Sequence, residues 1–448
     1  MTFRLLDTLY ADQVMAGIWS EHATVASWLE VEAGLATAQA TIGLIDADDA
    51  RAISEICRPG LIDHEQLWKA ARVVGYPILP LTRQIAAALP PGAAGRVHYG
   101  ATTQDIMDTG LALQLGRSCD RLLELARIFG DALSRLTTEH AGTVMAARTH
   151  AQQAVPTTFG AKLGGFLAEL ADEVAELRRA GEAVRVVSLF GAGGTNAAMG
   201  PQAPAVRQEL ARLLDLRDSS VSWHVSRHRV ARFGATCATL AATCVRFARE
   251  VIDLSRTEIA EVREQDGHHR GASSTMPQKA NPVLSESVVG FGVAATTAAG
   301  SLLRAMEAGH ERSAGEWQIE WLMVPAVAEH AASALFLAGE AAATLRVFPD
   351  VMRANLQRDG GLLMSEALMM RLAPSLGQAG AHDLVYAAAL EARRTGADLT
   401  EVVRRELRAT GPGAPDLQLS VDQYVGEAPS MAHAAVDQWR KLKEEGQE

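Results

Sequence analysis

The sequence predicts an all-α protein built around long helices, and three observations point there. Hydrophobic residues make up 48 % of the 448-residue chain but aromatics only 5 %. Alanine and leucine therefore carry the core, which favours closely packed helices over a β-sandwich. Apolar residues recur every seven positions along several stretches, the spacing of a helix face buried in a bundle. No alternating apolar pattern is long enough for a sheet, and nothing repeats beyond the seven-residue spacing.

Residues 1–20 read as an irregular or short helical arm. A helix runs from His22 to about Ile42 with Trp28, Leu35 and Ile42 on one line, and Gly43 can end it. Residues 46–95 hold short helices separated by Pro59, Pro77, Pro80 and Pro90-Pro91. The polar stretch His98–Thr109 opens a long helix carrying Leu115, Leu122, Phe129 and Leu136. The next turn, Ala146–Gly160, leads into a helix ending near Arg185. The Gly-rich stretch 190–204 is followed by no Gly-Lys-Ser/Thr and preceded by no strand, so it reads as a crossover between helices. A helix from near Arg229 carries Phe233, Leu240, Phe247 and Leu254, with Cys237, Cys244 and Val251 on a second line. Helices over roughly 282–307 and from Trp321 to about Thr344 follow. Val347–Pro349 marks a boundary, and shorter helices with a Pro/Gly loop at 411–415 complete the chain.

The net charge of −11 argues against nucleic acid as the main partner and leaves room for a locally basic site. The four cysteines form no Cys-x-x-Cys pair, so neither a zinc framework nor a disulfide scaffold is expected. Cys237 and Cys244 read as core thiols, and reduced cytoplasm fits best. The first residues show no basic region followed by an apolar run, so no signal peptide is expected. The uncharged stretch between Glu286 and Arg304 reads as a helix buried against other helices rather than one facing lipid.

Three polar turns interrupt the long helices: 98–109, 146–158 and 265–282. The third holds three hydroxyls, a cation and two amides between Gly271 and Pro282. Asn281-Pro282 reads as a helix start, with Asn281 as N-cap and Pro282 at the first helical position. Free N–H groups there, beside Lys279, suit a carboxylate; a polar surface loop is the plain alternative. His150, after Arg148-Thr149 at a helix entrance, is the best proton donor. Thr102, Thr103 and Asp105 either position a substrate or cap a helix. His268-His269 lacks carboxylates at metal-binding spacing, so no metal is expected. Arg227, Arg229 and Arg232 form a local basic cluster, either a solvated face or an anion site.

The run from Ser273 to Pro282 (Ser-Ser-Thr-Met-Pro-Gln-Lys-Ala-Asn-Pro) resembles the signature loop of the fumarase/aspartase superfamily. The other two turns match superfamily regions in the same order, so the resemblance covers nearly the whole chain. Ala272 departs from the glycine usual before the serine pair. The resemblance implies a three-domain all-helical subunit with a central long-helix bundle, divided at 1–100, 101–346 and 347–448. It also implies a cytoplasmic homotetramer whose sites combine turns from three subunits, with a small polycarboxylate substrate and no cofactor, nucleic acid or membrane partner. Carried over, Ser273 is the base that takes the proton beside a substrate carboxylate, an alkoxide that loop N–H groups must stabilise. Lys279 and Asn281 hold that carboxylate as it becomes an enediolate. His150 protonates the leaving group, while Thr149, Thr102, Thr103 and Arg312 place the substrate. The reaction implied is a β-elimination or an intramolecular addition.

Within the superfamily, Arg148–Gly160 and Ser27–Glu32 resemble adenylosuccinate lyase. That family usually carries a His-Asp pair where this chain reads Val74–Ile78, and a serine and an arginine for the nucleotide phosphate where it has Trp317 and Trp321. Replacing a guanidinium by indole removes bidentate bonds to phosphate. The 3-carboxy-cis,cis-muconate cycloisomerases match better through Gly100–Gly110, Ile78–Leu81, Trp223-His224 and His310–Trp321. Ser226 and His228 depart from their pattern, and His150 stands where bacterial cycloisomerases often lack histidine. Three readings follow: such a cycloisomerase, a fumarate-releasing C–N lyase on an N-substituted aspartate, or a non-catalytic protein on the same scaffold.

Overall fold

The computed structural model describes residues 4–265, 271–272, 275–276, 278–410 and 417–445. Helices α1 (Leu5–Tyr10) and α2 (Gln13–Ile18) form the arm, and α3 spans Glu21–Thr41. Next come α4 (Ala47–Ile56), α5 (His64–Val74), α6 (Ile78–Ala87) and α7 (Pro91–Ala94). The central stretch holds α8 (Thr103–Glu139), strands β1 (Val144–Thr149) and β2 (Gln152–Thr158), α9 (Phe159–Val184), α10 (Ala203–Leu213) and α11 (His228–Leu254). It continues through β3 (Val262–Arg263), α12 (Val283–Ala305), α13 (Glu316–Thr344) and β4 (Arg346–Val347). The C-terminal helices are α14 (Pro349–Asn355), α15 (Ser365–Thr395), α16 (Leu399–Thr410) and α17 (Ala428–Glu445).

Local chemistry fixes several helix ends. Ser20 Oγ accepts from Ala23 N at 3.2 Å to start α3, and Asp63 Oδ1 accepts from Gln66 N at 2.9 Å to start α5. Gly75, in the left-handed region at φ 91°, closes α5. Helix α8 has 37 residues, about 55 Å at 1.5 Å per residue.

One expectation needs correction. The stretch 146–158 is an antiparallel β-hairpin, with Val144 opposite Thr158, Thr149 opposite Gln152 and a bulge between Ala146 and Arg148. Its strands are too short and too mixed in polarity to show an alternating pattern, so it reads as a turn in sequence. The C-terminal segment holds shorter helices: α15 is two of them end to end, because Gly377 at φ 70° and ψ 162° interrupts the helical backbone.

By backbone proximity the chain forms two compact units. The first comprises residues 1–125, 173–244 and 290–336; the second comprises 126–172, 245–289 and 337–448. In the first unit, Trp28, Leu29 and Leu35 of α3 share a core with Ile106 and Leu113 of α8 and Val206 and Leu210 of α10. The approach of α3 to α8 is close: a Cβ on Gly110 would lie 2.8 Å from Trp28 Cδ1. In the second unit, Phe129 and Phe166 both meet Phe247 edge-on, at 5.2 and 5.8 Å between ring centres. Leu368 and Leu372 of α15 pack with Val402 and Val403 of α16. Cys237 and Cys244 are buried thiols outside any disulfide, as the spacing predicts, and burial pushes the Cys237 thiol well above its ordinary range.

His98, in the left-handed region at φ 60°, brings Nδ1 to 2.7 Å from the buried Glu32 carboxylate. Burial alone would lower the His98 pKa, but the Glu32 charge and hydrogen bond outweigh it and raise the pKa above the ordinary 6.5. A pKa raised on folding adds stability that is fully present below the unfolded value and is lost as pH climbs through the folded one. The melting-temperature gap between wild type and His98→Gln is therefore expected to be larger at about pH 6 than at about pH 9. A gap that widens with pH in thermal unfolding would contradict the pair.

Candidate active site

In the first unit the site is built on the start of α8. Thr102 N donates to Asp105 Oδ2 at 3.0 Å, one arm of a capping box. Asp105 is fully buried and also accepts from Phe190 N at 2.8 Å and Gly191 N at 2.9 Å. Its Oδ1 lies 2.8 Å from Nε2 of the buried His224. His224 Nδ1 has no hydrogen-bond partner among the described residues, so Nε2 carries the proton that Asp105 accepts. Asp105 is thus a cap, as one reading had it, and it also ties the Gly-rich crossover to α8.

Arg312 reaches this corner. Both terminal nitrogens lie 3.4 Å from Thr102 Oγ1, and Nη2 lies 3.3 Å from Ala192 O. Its Nε is buried without a partner, and no carboxylate pairs with it among the described residues. A half-buried guanidinium held only by long contacts to neutral oxygens has charge left to pair with an anion. Thr103 is the first residue of α8, beside Thr102.

Arg227 belongs neither to a solvated face nor to an anion site. It is buried, and its fork spans Asp108, at 2.8 and 3.0 Å, and Glu320, with Nε to Oε1 at 2.8 Å and a second contact from Nη2. Burial raises the Glu320 carboxyl above the usual range despite Arg227. Arg232 is exposed. Ser226 Oγ and His228 Nδ1 lie 3.2 Å apart at the start of α11, where burial, Arg229 and Arg232 lower the His228 pKa. Tyr76 stacks on Trp317 at 6.0 Å and meets Trp321 edge-on at 6.1 Å; the two indoles are 5.0 Å apart. The sequence offered these three residues separately and gave no sign that they touch.

In the second unit, His150 and Ala151 form the two-residue turn of the hairpin rather than a helix entrance. Their φ values are 50° and 62°. A turn left-handed at both central positions normally takes Asn-Gly, and a non-glycine residue there costs on the order of 1 kcal/mol or more. The base of the hairpin is clamped: Arg148 makes a two-pronged bond to the buried Glu261 at 2.9 and 2.6 Å. Asn355 Nδ2 donates to the same carboxylate at 2.8 Å, and Gln153 Nε2 donates to Asn355 O at 3.0 Å. This rigid base carries Thr149 and an exposed His150 at its end.

The loop that follows β3 is pinched at its neck. Asn281 N donates to Gly271 O at 2.9 Å, and Ala272 pairs antiparallel with Ala280. Gly271 stands at φ 65°, where a Cβ would meet Asn281 O at 2.5 Å, so only glycine fits. Lys279 and Asn281 flank this neck. Ser273, the candidate base, lies outside the described residues, as do Ser274, His268 and His269. The expected cap is corrected: α12 starts at Val283, and Asn281 does not cap it. Glu264 does, accepting from Leu284 N at 3.1 Å, Ser285 N at 2.8 Å and Ser285 Oγ at 2.7 Å. A buried carboxylate suits the positive helix end better than a neutral amide, so those N–H groups are not free for a ligand. Thr102, Thr103 and Arg312 therefore fall together in the first unit. Thr149, His150, Lys279 and Asn281 fall in the second, at the hairpin end and the loop neck.

A family model described as "Lyase" matches residues 9–296, and one described as "Adenylosuccinate lyase C-terminus" matches residues 361–435. The chain is 36 % identical over 381 residues to trans-aconitate decarboxylase 1 of Mycosarcoma maydis, covering 85 % of this chain and 77 % of that protein. It is 34 % identical to the 3-carboxy-cis,cis-muconate cycloisomerase of Bradyrhizobium diazoefficiens, covering 97 % of each chain. It is 36 % identical to the nitrosuccinate lyase of Streptomyces davaonensis, covering 96 % of this chain and 94 % of that one. Among solved structures, the 3-carboxy-cis,cis-muconate lactonizing enzyme of Pseudomonas putida aligns with a TM-score of 0.92 at 32 % identity, over 98 % of this chain and all of that one.

Arg312→Gln is expected to raise KM for a carboxylate substrate by roughly 10- to 100-fold, the loss of one or two charge-assisted bonds. Steady-state kinetics check this, and an unchanged KM would remove Arg312 from the anion site.

Proposed function

Because the chain belongs to the fumarase/aspartase superfamily of lyases, we propose that it forms or breaks a bond one carbon away from an enediolate on a small polycarboxylate. The observation that carries this is Arg312, an uncompensated guanidinium resting on Thr102 beside the α8 start. In the elimination direction Ser273 takes the proton beside a substrate carboxylate. The electron pair moves into that carboxylate, held by Lys279 and Asn281, and returns to expel the group on the next carbon. In cyclisation the steps run backwards. A carboxylate oxygen of the same molecule adds to the double bond, and the resulting carbanion collects a proton from Ser273. Thr102, Thr103 and Thr149 place the substrate. Neither a metal nor a cofactor enters these steps.

The substrate we favour is 3-carboxy-cis,cis-muconate or a close tricarboxylate, giving a cycloisomerase. Full-length similarity to a cycloisomerase supports it, and so does indole at positions 317 and 321, which cannot bind a nucleotide phosphate. A second reading is a fumarate-releasing lyase on an N-substituted succinate. It is favoured by His150, an acid presented on a strained, clamped hairpin tip, and by similarity to a nitrosuccinate lyase. Chemistry separates the two. An amine needs a proton to leave, whereas a carboxylate nucleophile has none to lose.

The working form is proposed to be a cytoplasmic homotetramer with sites shared between subunits, each subunit divided at 1–100, 101–346 and 347–448. Helices α12 and α13 are long and apolar enough to cross a membrane by composition alone. Exposed Val293 and Leu303 on α12 are read here as subunit contacts.

Ser273→Ala should abolish turnover of carboxymuconate, followed by absorbance, while variant and wild type both sediment at four times the 47.7 kDa subunit mass. Near wild-type turnover would refute Ser273 as the base. His150→Gln should leave cyclisation largely unchanged; a loss of ~100-fold or more is the size expected of general acid catalysis and would favour elimination.

A further inference from the structure

The first unit holds a cleft of about 380 Å³, within the range of small-molecule sites. Tyr76, Trp317 and Trp321 line it, together with Trp28 and Trp68, whose rings meet at 6.3 Å. Its apolar residues come from matched faces: Met107 and Leu111 are one turn apart on α8, and Trp317 and Trp321 are one turn apart on α13. None of the lining residues is lysine, arginine or histidine, and two, Asp108 and Glu320, carry carboxylates. Those two carboxylates share a single guanidinium, that of the buried Arg227. The wall of an aromatic cleft thus sets two carboxylates against one guanidinium.

Aromatic faces attract cations through their quadrupole, most strongly where water is excluded, and a surplus carboxylate adds to the pull. The same wall repels phosphate and carboxylate groups. We infer that this cleft is a binding site for a small organic ammonium ion with a flat apolar body. The site is distinct from the carboxylate receptor at Thr102 and Arg312, and the inference does not depend on the reaction proposed above. It lies close to that receptor: Met107 is four residues, about 6 Å, along α8 from Thr103. Trp317 N is held by Ser313 Oγ at 3.0 Å, next to Arg312.

Isothermal titration of the full-length protein with 2-phenylethylammonium, 2-phenylethanol and 3-phenylpropionate compares a cation, a neutral molecule and an anion of similar shape. The ammonium is expected to bind about tenfold tighter than the alcohol, and the propionate not measurably. Glu320→Gln, which removes the surplus charge but keeps a partner for Arg227, should bring the ammonium-to-alcohol ratio close to one. Trp321→Leu, at the half-exposed ring, should weaken the ammonium by about tenfold. Equal binding of ammonium and alcohol to wild type would overturn the inference, because a proton on Glu320 would then balance the wall. Preference for the propionate would overturn it, and so would the absence of saturable ammonium binding.

Discussion

A carboxylate taken out of water has to be met by donors, and Asp105 is met four times. Thr102, Phe190 and Gly191 each give it a backbone N–H, and His224 gives it Nε2. Each donor brings a different part of the chain. Thr102 is the start of α8, Phe190 and Gly191 are the glycine-rich crossover, and His224 precedes α11. The two oxygens that Arg312 leans on, Thr102 Oγ1 and Ala192 O, both belong to segments that Asp105 holds. Removing one donor from a buried carboxylate costs several kcal/mol, so the corner stands or falls together. The surroundings of Arg312 are therefore a consequence of how α8 is started.

The same logic explains why Arg312 stands out in a chain of net charge −11. Several buried or half-buried cations are spent on particular carboxylates: Arg148 on Glu261, Arg121 on Asp12, and Arg227 on Asp108 and Glu320. These pairs position backbone and side chains but present no spare charge. Even the positive end of α12 is taken, by Glu264. Arg312, by contrast, rests on neutral oxygens, Thr102 Oγ1 and Ala192 O.

Much of this was legible in the sequence, and what was missed shares a cause. The seven-residue spacing located α3, α8 and α11, because a helix writes its buried face into its own residues. Thr102, Thr103 and Arg312 became candidate site residues only through motif, and the structure adds that Thr102 and Arg312 touch. The hairpin around His150 left little trace, because its shape comes from the clamp by Glu261 and Asn355, distant in sequence. The Glu264 cap was invisible for the same reason: a side chain some twenty residues upstream replaced the local Asn281 signal. Arg227 looked like part of a basic cluster because its partners lie on α8 and α13. Local chemistry reads from sequence; pairing across the fold does not.

The aromatic cluster shows why separate departures from a family pattern are best weighed together. Trp317 and Trp321 stand where adenylosuccinate lyases usually carry a serine and an arginine, and Tyr76 lies in the stretch Val74–Ile78 where a His-Asp pair is usual. In the structure the three rings are mutual neighbours, and Glu320 sits between the two tryptophans on the same helix. Trp317 and Trp321 are one turn apart and so share a face of α13, and Tyr76 on the neighbouring segment closes against both rings. Indole at these positions offers no bidentate donor to a phosphate, so the first unit carries an aromatic surface beside the start of α13 and a guanidinium, Arg312, a few residues before it.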